Sequence, residues 1–497
     1  MAGNGLRQAL GLHGRNHLVS IVGGGGKTSL MFALARALPG RVVLTTTTRI
    51  FAAQIKLAPA VCHAADLYPE NRPQIGRATD RKKSVKSTQS AAVHFADRLN
   101  AYLTQFGSCL VVGEVQGEKA LGVTPELPGQ LLVRPDVDFV IVEADGSRMR
   151  PIKAPAEHEP VIPPETTLVV PVMGLDALDG PIGKVAHRPE LALSVIGDRS
   201  GVVGERCSIV GGRAAAGEER VLTPQEAAVL LTHPRGGAKN TPPGARVIPF
   251  INKVETDEQL TAARQIAYHA LRLTPHASRL TQVVLGAVQS NQPVREVHSR
   301  VTAVVLAAGQ SSRMGQVKQL LPWGETTVLG QTIRHLKGTA VHDILVVSGY
   351  EADKIEMIAL REGVHAIRNT QYAQGEMISS LQTAVRQLPE WVTAVLVILA
   401  DQPMVPPEVI DQLLFAYWQG MGSLIAPEFD GRRGNPVLIG RDHFAELLTL
   451  TPDEAPRTLL QRHPADLHLV SVSSAAVLHD LDSPEDYERW RRALHKK

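Results

Sequence analysis

Cysteine is scarce in this 497-residue chain, which holds only Cys62, Cys109 and Cys207. An odd number without metal-ligand spacing argues against a disulfide framework and against a cysteine-based zinc site. Net charge is scarce too: 52 Lys and Arg against 49 Asp and Glu leave +3. That is too little, at this length, to call for a nucleic-acid partner. One locally basic stretch, Arg81-Lys82-Lys83-Ser84-Val85-Lys86, reads as a solvated loop. Long apolar runs are missing: nothing approaches the roughly 20 residues that cross a bilayer. Met1 to Asn16 shows no apolar core followed by a cleavage site. The expectation is a soluble cytoplasmic protein with neither a membrane nor a nucleic-acid partner.

What is present is ordinary globular material, 44% apolar and 20% charged. The length exceeds one hydrophobic core and predicts roughly two to four domains. From Leu18 onward, short β-branched runs alternate with helical patterns. The runs are Leu18 to Val22, Val42 to Thr45, Leu110 to Val112, Phe139 to Val142, Leu168 to Val172 and Val247 to Ile251. This alternation predicts an α/β fold with a mostly parallel, doubly wound sheet. The polar segment from Val288 to Arg300 reads as a linker, giving domains at 1–292 and 300–497. A second series follows, with strands at Thr302 to Leu306, Ile344 to Val347, Ala394 to Ala400 and Leu424 to Ala426. Helices are predicted at Glu376 to Gln387 and Pro407 to Gln419.

In the first series, Ser20-Ile-Val-Gly23-Gly24-Gly25-Gly26-Lys27-Thr28-Ser29 joins a strand to a helix. Glycines let backbone amides wrap phosphates, Lys27 can reach the β- and γ-phosphates, and Thr28 can touch Mg²⁺. Ile21 stands where the strict phosphate-loop pattern wants glycine. The strand Asp138-Phe-Val-Ile-Val-Glu143-Ala-Asp145 delivers two carboxylates, and either Glu143 or Asp145 would hold the metal or orient water. The bound nucleotide would be ATP or GTP. A weaker parallel is Asn252-Lys253-Val254-Glu255, which is similar to the guanine-reading Asn-Lys-x-Asp of small GTPases.

In the second series, Leu306-Ala307-Ala308-Gly309-Gln-Ser-Ser-Arg313-Met-Gly315 follows an apolar strand and suits close approach of amides to phosphate oxygens. Arg313 and Lys318 supply cations for a triphosphate whose pyrophosphate departs. Asp401 ends a strand where open α/β sheets place ligands, and is the natural Mg²⁺ ligand. Asp480 and Asp482 lie just before the C-terminal helix, where Asp482 alone could be a cap. No catalytic role falls to His335, His342, His365 or His479.

Five ordered stretches, LAAGQSSRMGQVKQLLPWG, NTQYAQGEMISSLQTAV, LADQP, GRRGNPVLIG and DLDSPEDY, resemble the molybdenum cofactor cytidylyltransferase family across residues 301 to 497. This family lies within the MobA-like NTP transferases, so the resemblance implies a Rossmann-like, glycosyltransferase-A-type fold. It implies transfer of CMP from CTP to molybdenum-bound molybdopterin, with Mg²⁺ and release of pyrophosphate. Carried over by position, Leu306, Ala307, Ala308 and Gly309 would hold the nucleotide, with Arg313 and Lys318 on its phosphates. Asp401 and one of Asp480 or Asp482 would bind the metal, and Asn369 and Gly375 would shape the base or ribose pocket. Arg433, Gly434, Asn435 and Pro436 would face the pterin. Guanylyl-transferring relatives typically read Leu-Ala-Gly-Gly at the loop, so Ala308 favours cytidylyl transfer.

The stretches IVGGGGKTS, TTTTRIF, VEADGSRMRPIKAPAEHEPVIP and VMGLDALDGPIGKVAHRPE resemble the YqeC family over roughly residues 10 to 290. That resemblance implies an accessory role toward selenium-dependent molybdenum hydroxylases, with such an enzyme as client. Arg49, Lys153 and His187 fall in its matching stretches and are candidates for its ligand site.

Overall fold

Runs of β-branched residues flanked by helices bury both faces of a largely parallel sheet, and a helix-covered sheet of this kind appears twice. A computed structural model describes residues 5–66, 81–198, 219–273, 279–311, 314–373, 376–452 and 454–494. It divides into two compact units, Asn4–His298 and Ser299–Lys497.

The N-terminal unit holds β1 (His17–Gly23), α1 (Lys27–Ala37), β2 (Val42–Thr46), β3 (Val61–His63), α2 (Arg81–Phe106), β4 (Ser108–Val112), β5 (Phe139–Glu143) and β6 (Leu168–Gly174). It continues with α3 (Pro224–Thr232), β7 (Phe250–Asn252), α4 (Asp257–Leu273) and β8 (Gln282–Gly286). The strands pair in parallel in the order β3, β4, β2, β5, β1, β6, β7, β8. Alternate residues of β1 enter different cores. Val19 and Ile21 pack with Leu30 and Leu34 of α1, while Leu18 and Val22 pack with Phe95, Leu99 and Leu103 of α2. Period-two alternation thus buries β1 on both faces. The expected strand from Val247 to Ile251 is split into Arg246–Val247 and Phe250–Asn252, with Pro249, which has no N–H to give a ladder, in the gap.

Val294–Leu306 (β9) is one strand that runs across the unit boundary. The segment expected as linker therefore carries strand structure in its second half. Its polar members are buried in pairs: Glu296 accepts from Arg264 of α4 and pairs with His298 at 2.8 Å.

The C-terminal unit adds α5 (Val328–Lys337), β10 (Asp343–Ser348), α6 (Ala352–Arg361), β11 (His365–Arg368), α7 (Glu376–Gln387), β12 (Val392–Leu399), α8 (Pro407–Trp418) and β13 (Leu424–Phe429). It ends with β14 (Val437–Gly440), α9 (Pro456–Arg462), β15 (Leu467–Ser471) and α10 (Pro484–Leu494). Strands β11, β10, β9 and β12 are parallel neighbours. Strand β14 pairs antiparallel with β12 and with β13, and β15 runs parallel to β13. Both units are α/β, the first doubly wound and the second mixed. Among the described residues no helix is long and apolar enough to cross a membrane.

Candidate functional site

Strand β9 ends at Leu306, and its continuation forms a loop beside the end of β12, where Asp401 follows. The loop is pinned rather than slack. Ala307 N–H donates to Val347 O (3.0 Å), and Ala308 O accepts from Tyr350 N–H (3.1 Å). Ser311, in the left-handed region at φ 54°, accepts the Lys318 amide (3.2 Å). Behind these residues lies a cavity of about 490 Å³. Its lining includes Leu306, Ala308, Gly309, Ser311, Lys318 and Gln319 from the first stretch, and Tyr372, Met377, Ser380, Asp401, Asp480 and Asp482 from later ones.

Lys318 Nζ is held between Asp401 and Asp482, the latter at 3.1 Å. Burial alone would lower its pKa, but Asp401 and then Asp482 outweigh that and hold it above the usual lysine range. Asp480 accepts from Gln402 Nε2 at 2.5 Å. Its carboxyl is pushed up, first by burial and then by the charge of Asp401. Asp401 Oδ1 is buried and has no hydrogen-bond partner. Two carboxylates share one lysine, a third stands beside them on Gln402, and one buried oxygen is unsatisfied. Such an oxygen-donor set fits a hard divalent cation. Ser483 Oγ, not Asp482, caps α10 by accepting from Asp486 N–H (3.2 Å). Asp482 is therefore available to the site.

Several expected positions lie elsewhere. Ala307 is fully buried and packs in the core, because the parity of the chain turns it away from the cavity. Asn369 does not line the cavity. Its side chain donates to Ser379 (2.9 Å) and Ser380 (3.0 Å) and accepts from Gln371 N–H (2.9 Å), so it fixes the loop that presents Tyr372 and Ser380. Arg433 is exposed, Gly434 and Asn435 hydrogen-bond the backbone of Pro427 and Val477, and Pro436 is buried beside Gln402. None of the four lines the cavity. Arg313 and Gly375 lie outside the described residues. Sequence reasoning passed over Ser311, Gln319, Tyr372, Met377 and Ser380, all within or beside stretches already singled out.

In the N-terminal unit, Gly23 to Gly26 link β1 to α1, with Gly23, Gly25 and Gly26 at positive φ. A Cβ on Gly25 would run into the backbone of Gly174. The expected open cradle of amides is not what the loop presents. Gly23 N–H donates to both oxygens of Asp145 (3.1 Å each), Gly24 N–H to Val172 O (2.9 Å) and Gly25 N–H to Arg150 O (3.1 Å). A carboxylate of the chain itself sits on the loop, drawn there by Lys27 (3.4 Å) and Lys153 (3.1 Å).

Thr28 Oγ1 donates to Glu143 (2.8 Å), as a metal-ready pair would. Burial pushes the Glu143 carboxyl up, against the pull of Lys27. Asn252 is occupied: it donates to Gly25 O (2.8 Å) and accepts from Val288 N–H (3.0 Å), while Lys253 pairs with Asp176. Both groups are thereby withdrawn from base reading. Lys153 and His187 are brought together on paired strands, and Glu159 bridges Lys153 (2.7 Å) and Arg188 (2.5 Å). Arg49 is exposed.

A family model described as YqeC protein matches residues 19–190, and one described as MobA-like NTP transferase domain matches residues 303–467. YqeC of Escherichia coli (strain K12) is 30% identical over 260 residues, which is 52% of this chain and 84% of that protein. The chain belongs to the YqeC family. Its C-terminal unit carries a MobA-like NTP transferase domain, joined to the YqeC domain in one polypeptide. The molybdenum cofactor cytidylyltransferase of E. coli (strain K12) is 26% identical over 193 residues, 38% of this chain and 94% of that enzyme. The molybdenum cofactor guanylyltransferase of Mesorhizobium japonicum is 22% identical over 202 residues, 39% of this chain and 96% of that enzyme. The C-terminal unit of this YqeC-family chain is a nucleotidyltransferase unit.

Proposed function

We propose that the C-terminal unit transfers CMP from CTP to molybdenum-bound molybdopterin and releases pyrophosphate. The observation that carries this reading is the convergence of Lys318, Asp401, Asp480 and Asp482 on one cavity beside the Leu306–Gly309 loop. The acceptor's terminal phosphate oxygen attacks the α-phosphorus, and the bond to the bridging oxygen breaks with its electron pair leaving on pyrophosphate. Such a nucleophile is already ionised at neutral pH, so positioning and charge neutralisation carry the reaction without a general base.

Asp401, with Asp480 and Asp482, would hold Mg²⁺, which when bound would withdraw charge from the phosphates. Lys318 is the mobile cation of the pair. The triphosphate draws it from the carboxylates toward the β- and γ-phosphates. Gly309, with open space where a Cβ would stand, lets the loop approach the nucleotide closely. Tyr372 offers a ring face to the base or ribose. Cytosine is favoured over guanine by Ala308 in the loop. The test is single-turnover transfer to molybdenum-loaded molybdopterin with Mg²⁺, comparing CTP with GTP and following pyrophosphate. CTP preference supports the reading, GTP preference moves the unit to the guanylyl branch, and no transfer removes the acceptor assignment.

The N-terminal unit, on the same proposal, binds ATP or GTP through Lys27, Thr28 and Glu143 and serves maturation of a molybdenum hydroxylase. The seat of Asp145 on the glycine loop favours a nucleotide-gated binding module, in which phosphate must displace a carboxylate before the loop is available. Copurification of a hydroxylase subunit that depends on Lys27 would support this. A product stoichiometric with nucleotide consumed would instead make the unit a group-transfer enzyme.

A further inference from the structure

Away from both sites, three segments at one end of the C-terminal sheet bring two imidazoles and a carboxylate together. His443 closes the turn Arg441–His443 after β14, His463 follows the last residue of α9, and Asp466 precedes β15. One ligand atom from each lies within 4.8 Å of the others. His443 Nε2 is 3.9 Å, and His463 Nδ1 3.6 Å, from Asp466 Oδ2. Ligand atoms around a tetrahedral ion with bonds of about 2.0–2.1 Å stand roughly 3.4 Å apart. The two contacts to the carboxylate need to close by only a few tenths of an ångström, the three ligand atoms all lie within 4.8 Å of one another, and the Asp466 side chain is 48% exposed.

A second observation concerns His463 alone. Its Nε2 lies 2.6 Å from Glu446 Oε2, and Arg462 in turn pairs with Glu446. Glu446 thereby orients the His463 ring and turns its other nitrogen, Nδ1, toward the cluster, as carboxylate partners do for metal-bound histidines. His443 Nε2 meets Ser423 Oγ at 2.8 Å, a hydroxyl that turns aside about one bond. None of these residues lines the nucleotide cavity.

We propose that His443, His463 and Asp466 bind a divalent transition-metal ion of the zinc class, with Glu446 positioning His463 and water completing the shell. Two nitrogen donors disfavour Mg²⁺, which selects oxygen. The bound ion would pin the turn after β14, the end of α9 and the approach to β15 to one point.

The test uses the full chain, stripped with chelator and titrated with Co²⁺ in excess Mg²⁺, so that oxygen-only sites stay filled with Mg²⁺. One equivalent should develop visible absorption bands that Zn²⁺ abolishes. His463→Ala and Asp466→Asn should each lose the bands while far-ultraviolet circular dichroism stays unchanged, and Glu446→Gln should weaken binding about tenfold. Absence of bands at stoichiometric Co²⁺, or bands that persist in both His463→Ala and Asp466→Asn, would overturn the proposal.

Discussion

Replacing Asp145 by Asn should make the N-terminal unit less stable and yet a better nucleotide binder. Asp145 neutralises Lys27 and Lys153, whose side chains are only 4% and 1% exposed. Stripping the charge from a buried pair costs about 3–5 kcal/mol. The lower end applies, because Lys27 keeps Gly23 O at 2.7 Å and Lys153 keeps Gly146 O at 2.6 Å and Glu159 at 2.7 Å. A loss of about 3 kcal/mol corresponds to a drop of roughly 6 °C in the melting transition of a unit this size. For an incoming phosphate the sign reverses. One negative charge about 4 Å away repels it by about 1–4 kcal/mol, depending on the local dielectric, so removal should tighten binding about tenfold or more. The assay is thermal shift and calorimetric binding of ATP and GTP in chelator, so that no metal role of Asp145 intervenes. Lys27→Ala serves as the non-binding control. If the Asn variant binds nucleotide no tighter than the native chain, Asp145 is not the competitor for the loop, and the gating argument collapses.

Asp401→Asn should leave the fold intact and reduce nucleotidyl transfer by at least about a hundredfold, the scale expected when a charge-stabilising group is lost; transfer near the native rate would remove Asp401 from the metal site. Acidification should weaken the N-terminal unit in two stages. The His187 pKa is held down at about 4 by burial and then by Arg188, so stability falls as pH drops from about 6.5 toward 4. Glu159 is held at about 2 because Arg188 and Lys153 outweigh its burial, so its contribution is present above about 4.5 and is lost as pH falls toward 2. Urea midpoints against pH should show the upper stage vanish in His187→Gln; a profile identical to that of the native chain would refute the assignment. Gly25→Ala, at φ 72° and facing the backbone of Gly174, should cost more than about 2 kcal/mol by urea unfolding, and a neutral outcome would mean the loop has another conformation.

Much of the α/β organisation was legible because β-branched runs and helical periods alternate. The placing of Asp401 just past the end of β12, and of Glu143 at the end of β5, followed from strand-end patterns; the hydrogen bond from Thr28 to Glu143 did not. Strands β14 and β15 were missed. Val437–Gly440 is short, Leu467–Ser471 is half exposed, and both depend on partners far away in the chain. Ala307 and Ala308 could not be told apart by residue type, since only the parity of the chain leaving β9 decides which faces the cavity. Asn369 was read as a pocket residue, yet a buried amide with nearby hydroxyls satisfies itself first. Asp145, read from the sequence as a candidate metal or water ligand, sits on the glycine loop, because a carboxylate suited to a metal is equally suited to the amide and lysines there.

Lys318, clasped by Asp401 and Asp482, makes the C-terminal cavity a thermodynamic seesaw. On the proposed function, a divalent ion would compete with the ammonium for the same oxygens, while a triphosphate would compete with those oxygens for the ammonium. Whichever ligand arrives first frees the partner the other needs. Linkage then requires that nucleotide raise metal affinity by the same factor as metal raises nucleotide affinity. On that reading the site would be a weak trap for either ligand alone and a strong one for the pair.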